Sequence, residues 1–137
     1  MHDSVAAFRA GERPDDVVIY IADTAVDDPD QLAAYGDRVD DGTLLILDGE
    51  QGRRVFQTAT GQAAMNFAQE AMQQEGAIAP ELTGGDCPDC DDGHLQVLLA
   101  FFEPQNEAVG GRYAEGDVIH AYARCSCGTA YSHRWIV

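Results

Sequence analysis

Two cysteine pairs constrain this chain more than any other feature: Cys87 and Cys90 in "GGDCPDCDDGHLQV", and Cys125 and Cys127 in "ARCSCGTAYSH". A tetrahedral metal site needs four soft donors, usually delivered as close pairs by two short turns. The first pair has C-x-x-C spacing, which lets both sulfurs face inward while amides of the same turn stabilise the thiolates. The second has one intervening residue. Neighbours at i and i+2 of an extended chain point the same way, so a tight turn must follow, and Gly128 supplies it by taking positive φ. Four thiols with no open position are the donor set of a structural Zn²⁺. Cys₄ also ligates iron–sulfur clusters, at other usual spacings, and C-x-x-C near a β-α-β unit is a redox dithiol in some proteins. His94, His120 and His133 are substitute ligands should one thiol not bind. Beside Tyr122, Tyr131 and Trp135, however, His120 and His133 read as hydrogen-bonded aromatic surface.

Charge narrows the setting. Sixteen Asp and eight Glu face eight basic residues, all Arg, for a formal charge of −16. Such a chain self-repels in dilute buffer. A Lys-free, Asp-heavy, Ala- and Gly-rich composition is the look of proteins that work in molar salt, where the Debye length is about 3 Å. Asp89, Asp91 and Asp92 beside the first cysteine pair are then explained by composition, without ligation. The acidity disfavours nucleic acid as a partner. No apolar run of about 18 residues and no signal-peptide pattern occurs, so no membrane role and a cytoplasmic location are expected.

Hydrophobic periodicity divides the chain into an N-terminal arm, 1–16, a small α/β unit, 17–83, and a β module, 84–137. The arm holds a short helix at 5–10 and a Gly/Pro/Asp break, with the ordered core beginning after it. "VVIYIAD", Val17 to Asp23, is a continuous β-branched run that suits a strand buried on both faces. Asp27 or Asp28 caps a short helix with Pro29 in its first turn. Leu44 to Leu47 form the next strand, and strand, helix, strand implies a right-handed parallel crossover. From Gln51 to Glu75 apolar residues recur at three and four. Gly61 breaks that pattern, giving helices over about 52–58 and 61–74 with Thr60 as the second N-cap. Strands follow at 94–104, 117–125 and 129–137. The expected class is α+β: an α/β-like βαβα unit and a small antiparallel module.

Two further constellations bear on function. Asp23 and Asp48 end strands expected to be parallel, the position at which open α/β sheets bind ligands. Adjacent carboxylates there would hold Mg²⁺ for a phosphohydrolase or transferase, and Gly49, Gly52, Arg53 and Arg54 would cradle an anion at a helix N-terminus. The plainer reading is that Asp23 and Asp48 cap helices or turns. In the β module, Arg112, Arg124 and Arg134 gathered around Trp135 would favour nucleic-acid binding, and their dispersal would count against it.

The layout of cysteine pair, strand, long loop, strand, cysteine pair and final strand, with 34 residues between Cys90 and Cys125, resembles a zinc ribbon over about 84–137. The stretches "ADTAVDDPDQLAAYGDRVDDG", "FQTATGQAAMNFAQEAMQQEG" and "HAYARCSCGTAYSH" also resemble an uncharacterised haloarchaeal family of small acidic proteins. That likeness implies a halophilic lineage and no particular reaction. The expectation is therefore a non-catalytic protein with one Zn²⁺ on Cys87, Cys90, Cys125 and Cys127. Its contact would be a protein partner or a nucleic-acid assembly, with the carboxylate enzyme as the alternative.

Overall fold

A computed structural model describes residues 6–8, 10, 12, 15–26, 34, 36–39, 42–78, 85–89, 95–103 and 118–136. Its strands are β1 (Asp16–Ala22), β2 (Asp37–Val39), β3 (Gly42–Asp48), β4 (Ala77–Ile78), β5 (Gly85–Asp86), β6 (Leu95–Glu103), β7 (Val118–Cys125) and β8 (Ala130–Ile136). The helices are α1 (Gly49–Thr60) and α2 (Ala64–Ala71). Six strands make one sheet in the order β2-β3-β1-β6-β7-β8, and β4 pairs with β5 apart from it. The architecture is a mostly antiparallel sheet with a few short helices, a mixed α+β class.

The expected parallel crossover is not what forms. β1 and β3 are antiparallel, with Asp16 opposite Asp48 and Ala22 opposite Gly42. β2 is antiparallel to β3 in turn, so β1 and β2 share a direction with β3 inserted between them. A continuous apolar run reports that both faces of a strand are covered, and it does not report the direction of the neighbour. Here Val18, Tyr20 and Ala22 join one core layer with Phe8, Leu44, Leu98, Ile119 and Tyr131. Ile19 and Ile21 join the other, with Leu45, Phe56, Phe67, Leu99 and Tyr122. Each fully buried side chain of this size contributes about 1.5–3 kcal/mol, so β1 is fixed from both sides. Phe8 is fully buried, so the core takes in part of the N-terminal arm rather than starting after it.

β6, β7 and β8 form the antiparallel meander expected of the C-terminal segment. The meander does not stop at its own edge: β6 pairs with β1 from Val17–Phe101 to Ile21–Val97. The two halves of the chain therefore share one sheet. The short helix expected from Asp27 falls, apart from Ala34 and Gly36, outside the described residues.

α1 begins where Asp48 Oδ1 accepts a hydrogen bond from Gln51 N at 2.9 Å. It ends at Gly61, whose φ of +75° places it in the left-handed region, with its N–H bonded to Gln57 O. Thr60 is not the cap of the second helix. Its hydroxyl donates back to Phe56 O at 2.7 Å and accepts from Gln62 N, while Ala63 precedes α2 without a side-chain cap. The glycine break thus closes α1 rather than opening α2. Gly52 lets α1 lie directly on β1, since a Cβ there would sit 2.2 Å from Val17 Cγ2.

Candidate metal centre

The second cysteine pair is set by the β7–β8 hairpin. Cys125 is the last residue of β7, Gly128 N donates to Cys125 O, and Cys125 N donates to Thr129 O. Gly128 has φ +97°, which is the left-handed residue of a three-residue hairpin loop. The turn expected from the sequence is present. It resolves the geometric difficulty of one-residue spacing: Cys125 is buried at the end of the sheet and Cys127 stands exposed on the turn above it.

The first pair reaches the same place by another route. The segment after α2 runs alongside β8, with Ser132 N donating to Gln74 O and Gly76 N donating to Ser132 O, each at 2.9 Å. The chain then forms β4, and β5 returns against it with Ile78 opposite Gly85. Ile78 is buried in the sheet's core, and the residue after β5 is Cys87. Gly76 leaves room for this return, because a Cβ there would meet the Tyr131 ring at 2.5 Å and Pro88 Cδ at 3.2 Å.

The sulfurs of Cys87, Cys125 and Cys127 all lie within 4.8 Å of one another. Cys87 and Cys127 are 3.7 Å apart, far beyond a disulfide bond of about 2.05 Å. Four thiolates at about 2.3 Å from one Zn²⁺ form a tetrahedron with edges of about 3.8 Å, so this separation fits two ligands of a single ion. The backbone N–H of Asp89 points at Cys87 Sγ, 3.4 Å away, and would stabilise a thiolate there. These three thiols could hold a metal ion. Cys90, Asp91, Asp92 and His94 lie outside the described residues.

Asp89 does more than add to the acidity of the chain, and it does so outside the group of three thiols. Its carboxylate accepts from Thr129 Oγ1 at 2.9 Å and from Gln74 Nε2 at 3.1 Å. One side chain therefore ties the first cysteine turn both to the start of β8 and to the segment after α2. The sequence carries no signal for this, since Gln74, Asp89 and Thr129 are distant along the chain and of unremarkable type.

The other constellations disperse. Asp23 follows the end of β1 that faces Gly42, whereas Asp48 pairs with Asp16 at the opposite end. The length of a seven-residue strand, about 20 Å or more, separates them, so they cannot share a divalent ion. Asp23 instead forms a two-pronged ion pair with Arg38, which also donates to Thr43 Oγ1. Hydrogen bonding by that guanidinium holds the Asp23 carboxyl below its usual pKa. Asp48 caps α1, Arg54 pairs with Glu50 one turn away, and Gly52 faces Val17. The anion cradle is not assembled.

Arg124 lies over the Phe67 ring, 5.2 Å from its centroid, and donates to Gln62 Oε1 at 2.8 Å. Trp135 packs with the opposite core layer. Of the three arginines considered around Trp135, Arg124 is committed beneath α2 and Arg112 lies outside the described residues. His120 and His133 belong to aromatic groups with Phe101, Tyr122 and Trp135. The only cluster of three or more metal-ligating groups among the described residues is the thiol one. No described helix is long and apolar enough to cross a membrane.

Residues 36–137 match the family of unknown function DUF5807, and the chain belongs to that family. The match takes in β2 through β8 and every cysteine. No curated protein and no solved structure matches the chain.

Proposed function

We propose that this protein is non-catalytic, that Cys87, Cys90, Cys125 and Cys127 hold one structural Zn²⁺, and that the pinned end of the sheet is a rigid contact surface for a protein partner. The observation that carries the reading is the convergence of three thiols from two segments about forty residues apart, with the Cys87–Cys127 separation of 3.7 Å matching one tetrahedral ion. C-x-x-C spacing makes Cys90 the fourth donor. A complete Cys₄ shell leaves no position for substrate, which favours structure over catalysis. The charge of −16 and the commitment of Arg124 to α2 favour a protein over nucleic acid. The same charge, with Lys absent, suits a halophilic cytoplasm, where salt screens the self-repulsion.

Metal analysis of freshly purified, reduced protein tests the site. The expected result is about one zinc per chain, lost in Cys87→Ser and in Cys125→Ser. A metal-to-protein ratio near zero would end the proposal, and iron with inorganic sulfide would replace zinc by a cluster. The contact surface is tested by binding in high salt before and after chelation, with partner retention expected only in the metal-loaded form.

A further inference from the structure

The three thiols are not equally open to solvent. Cys125 is 3% exposed at the end of β7, Cys87 is half-buried, and Cys127 stands exposed on the hairpin turn. A Cβ at the neighbouring Gly128 would meet no described atom within 4 Å, so the turn that carries Cys127 is open to a small solute. Cys125 is instead held in place: it pairs with Leu95 of β6, its N–H donates to Thr129 O and its carbonyl accepts from Gly128 N. A solute that reaches the cluster from solvent meets Cys127 first.

Cys87 and Cys127 are set against each other by contacts that need no metal. Asp89 follows Cys87 by two residues and Thr129 follows Cys127 by two, and the Asp89 carboxylate accepts from the Thr129 hydroxyl at 2.9 Å. Gln74 holds the same carboxylate from the other side. The two turns therefore stay side by side when an ion leaves. Their sulfurs are 3.7 Å apart, and each needs to move by only about 0.8 Å to reach the bond length of about 2.05 Å in a disulfide. Thiolates are the form of cysteine that hydroperoxides oxidise, and exposure decides which is oxidised first.

We propose that Cys127 is a hydroperoxide-sensitive thiol whose oxidation closes a Cys87–Cys127 disulfide and expels the metal. The inference rests on the proposal that these thiols hold Zn²⁺, and it adds the regulation of that site. In the first step the Cys127 thiolate attacks hydrogen peroxide: the O–O bond breaks, Cys127 becomes a sulfenic acid and hydroxide leaves. In the second the Cys87 thiolate attacks the Cys127 sulfur: the S–O bond breaks, the S–S bond forms and a second hydroxide leaves. The two sulfurs together give up two electrons, the peroxide takes them, and both hydroxides collect protons from water. Zn²⁺ departs in the same oxidation state, because two of its ligands are gone. A thiol reductant reverses the disulfide. The two turns remain cross-linked throughout, first by the ion and then by the covalent bond.

The experiment measures the zinc content of the loaded full chain, then adds limiting hydrogen peroxide beside a chromogenic zinc chelator and maps disulfides by peptide mass spectrometry. The expected result is release of about one zinc per chain as the Cys87–Cys127 disulfide forms, with Cys90 and Cys125 still open to alkylation and zinc binding restored by a dithiol reductant. In the metal-free chain unfolded in urea, the share of Cys87–Cys127 should fall by about tenfold or more, because closing so long a loop is far less favourable than joining near neighbours. Zinc absent before peroxide would overturn the zinc site and the switch together. Full loading followed by no release, by a disulfide that joins Cys87 to Cys90 or takes in Cys125, or by irreversible oxidation of Cys127 alone would overturn the switch and leave the zinc site standing. An equal share of Cys87–Cys127 in the folded and unfolded chains would also overturn it.

Discussion

The cysteine turns and the strand-end carboxylates began as comparable constellations, and the fold treats them in opposite ways. Cys87, Cys125 and Cys127 converge from separate segments, and a second set of contacts through Asp89, Gly76 and Ile78 holds those segments together. Asp23 and Asp48 are carried to opposite ends of an antiparallel pair, and each is satisfied nearby: Asp23 by Arg38, Asp48 by the first turn of α1. Convergence of three soft donors from separate segments points to a site. A carboxylate already consumed by a cap or an ion pair points to structure.

Two glycine substitutions press hardest on this contrast. Gly76→Ala places a Cβ against Tyr131 and Pro88, and Gly52→Ala places one against Val17. Each should destabilise by about 1–3 kcal/mol through overpacking, measured by denaturant unfolding. Only Gly76→Ala should also weaken metal affinity in a competitive chelator titration, because only it displaces the route to Cys87. Equal metal affinities in the two variants would break the link between the segment after α2 and the thiols.

Asp89→Ala should lower metal affinity by about tenfold, the usual order for a residue that orients ligands without touching the ion. Asp48→Ala should cost about 1 kcal/mol as a lost N-cap, with metal content unchanged.

The smallest effect belongs to Asp23. Arg38 holds its carboxyl below the usual 3.8, so the stabilisation is fully present above that value and is lost as pH falls through the depressed one. The advantage of the parent over Asp23→Asn should therefore shrink on acidification below about pH 4, and salt should reduce it at any pH. Unfolding midpoints across that range check the sign.

Much of the local structure was legible. Val17–Asp23 and Leu44–Leu47 are strands because β-branched and leucine runs with turn residues at either end fit little else. Gly128 stands where a left-handed residue was expected, Gly61 marks the expected break between the helices although it caps the first rather than opening the second, and the cysteine spacing identified the thiols. The Thr60 cap failed locally, because its hydroxyl bonds back to Phe56 O and accepts from Gln62 N. The parallel pairing of β1 with β3 failed for another reason, because it depended on which residues lie opposite across long stretches of chain. Periodicity carries no record of that.

The sequence by itself determined the long strands and the paired helices, though not the short strands β2, β4 and β5, and it determined which donors a metal would have and that the chain is acidic, because these follow from side-chain chemistry and near-neighbour spacing. Only the tertiary structure decided that β1 joins β6 to make one sheet, that the carboxylates part while the thiols meet, and that Asp89 ties the first cysteine turn to the start of β8. Those outcomes rest on pairing between residues tens of positions apart. Strand register sets that pairing, and the burial of two core layers selects the register, so no local stretch of sequence contains it.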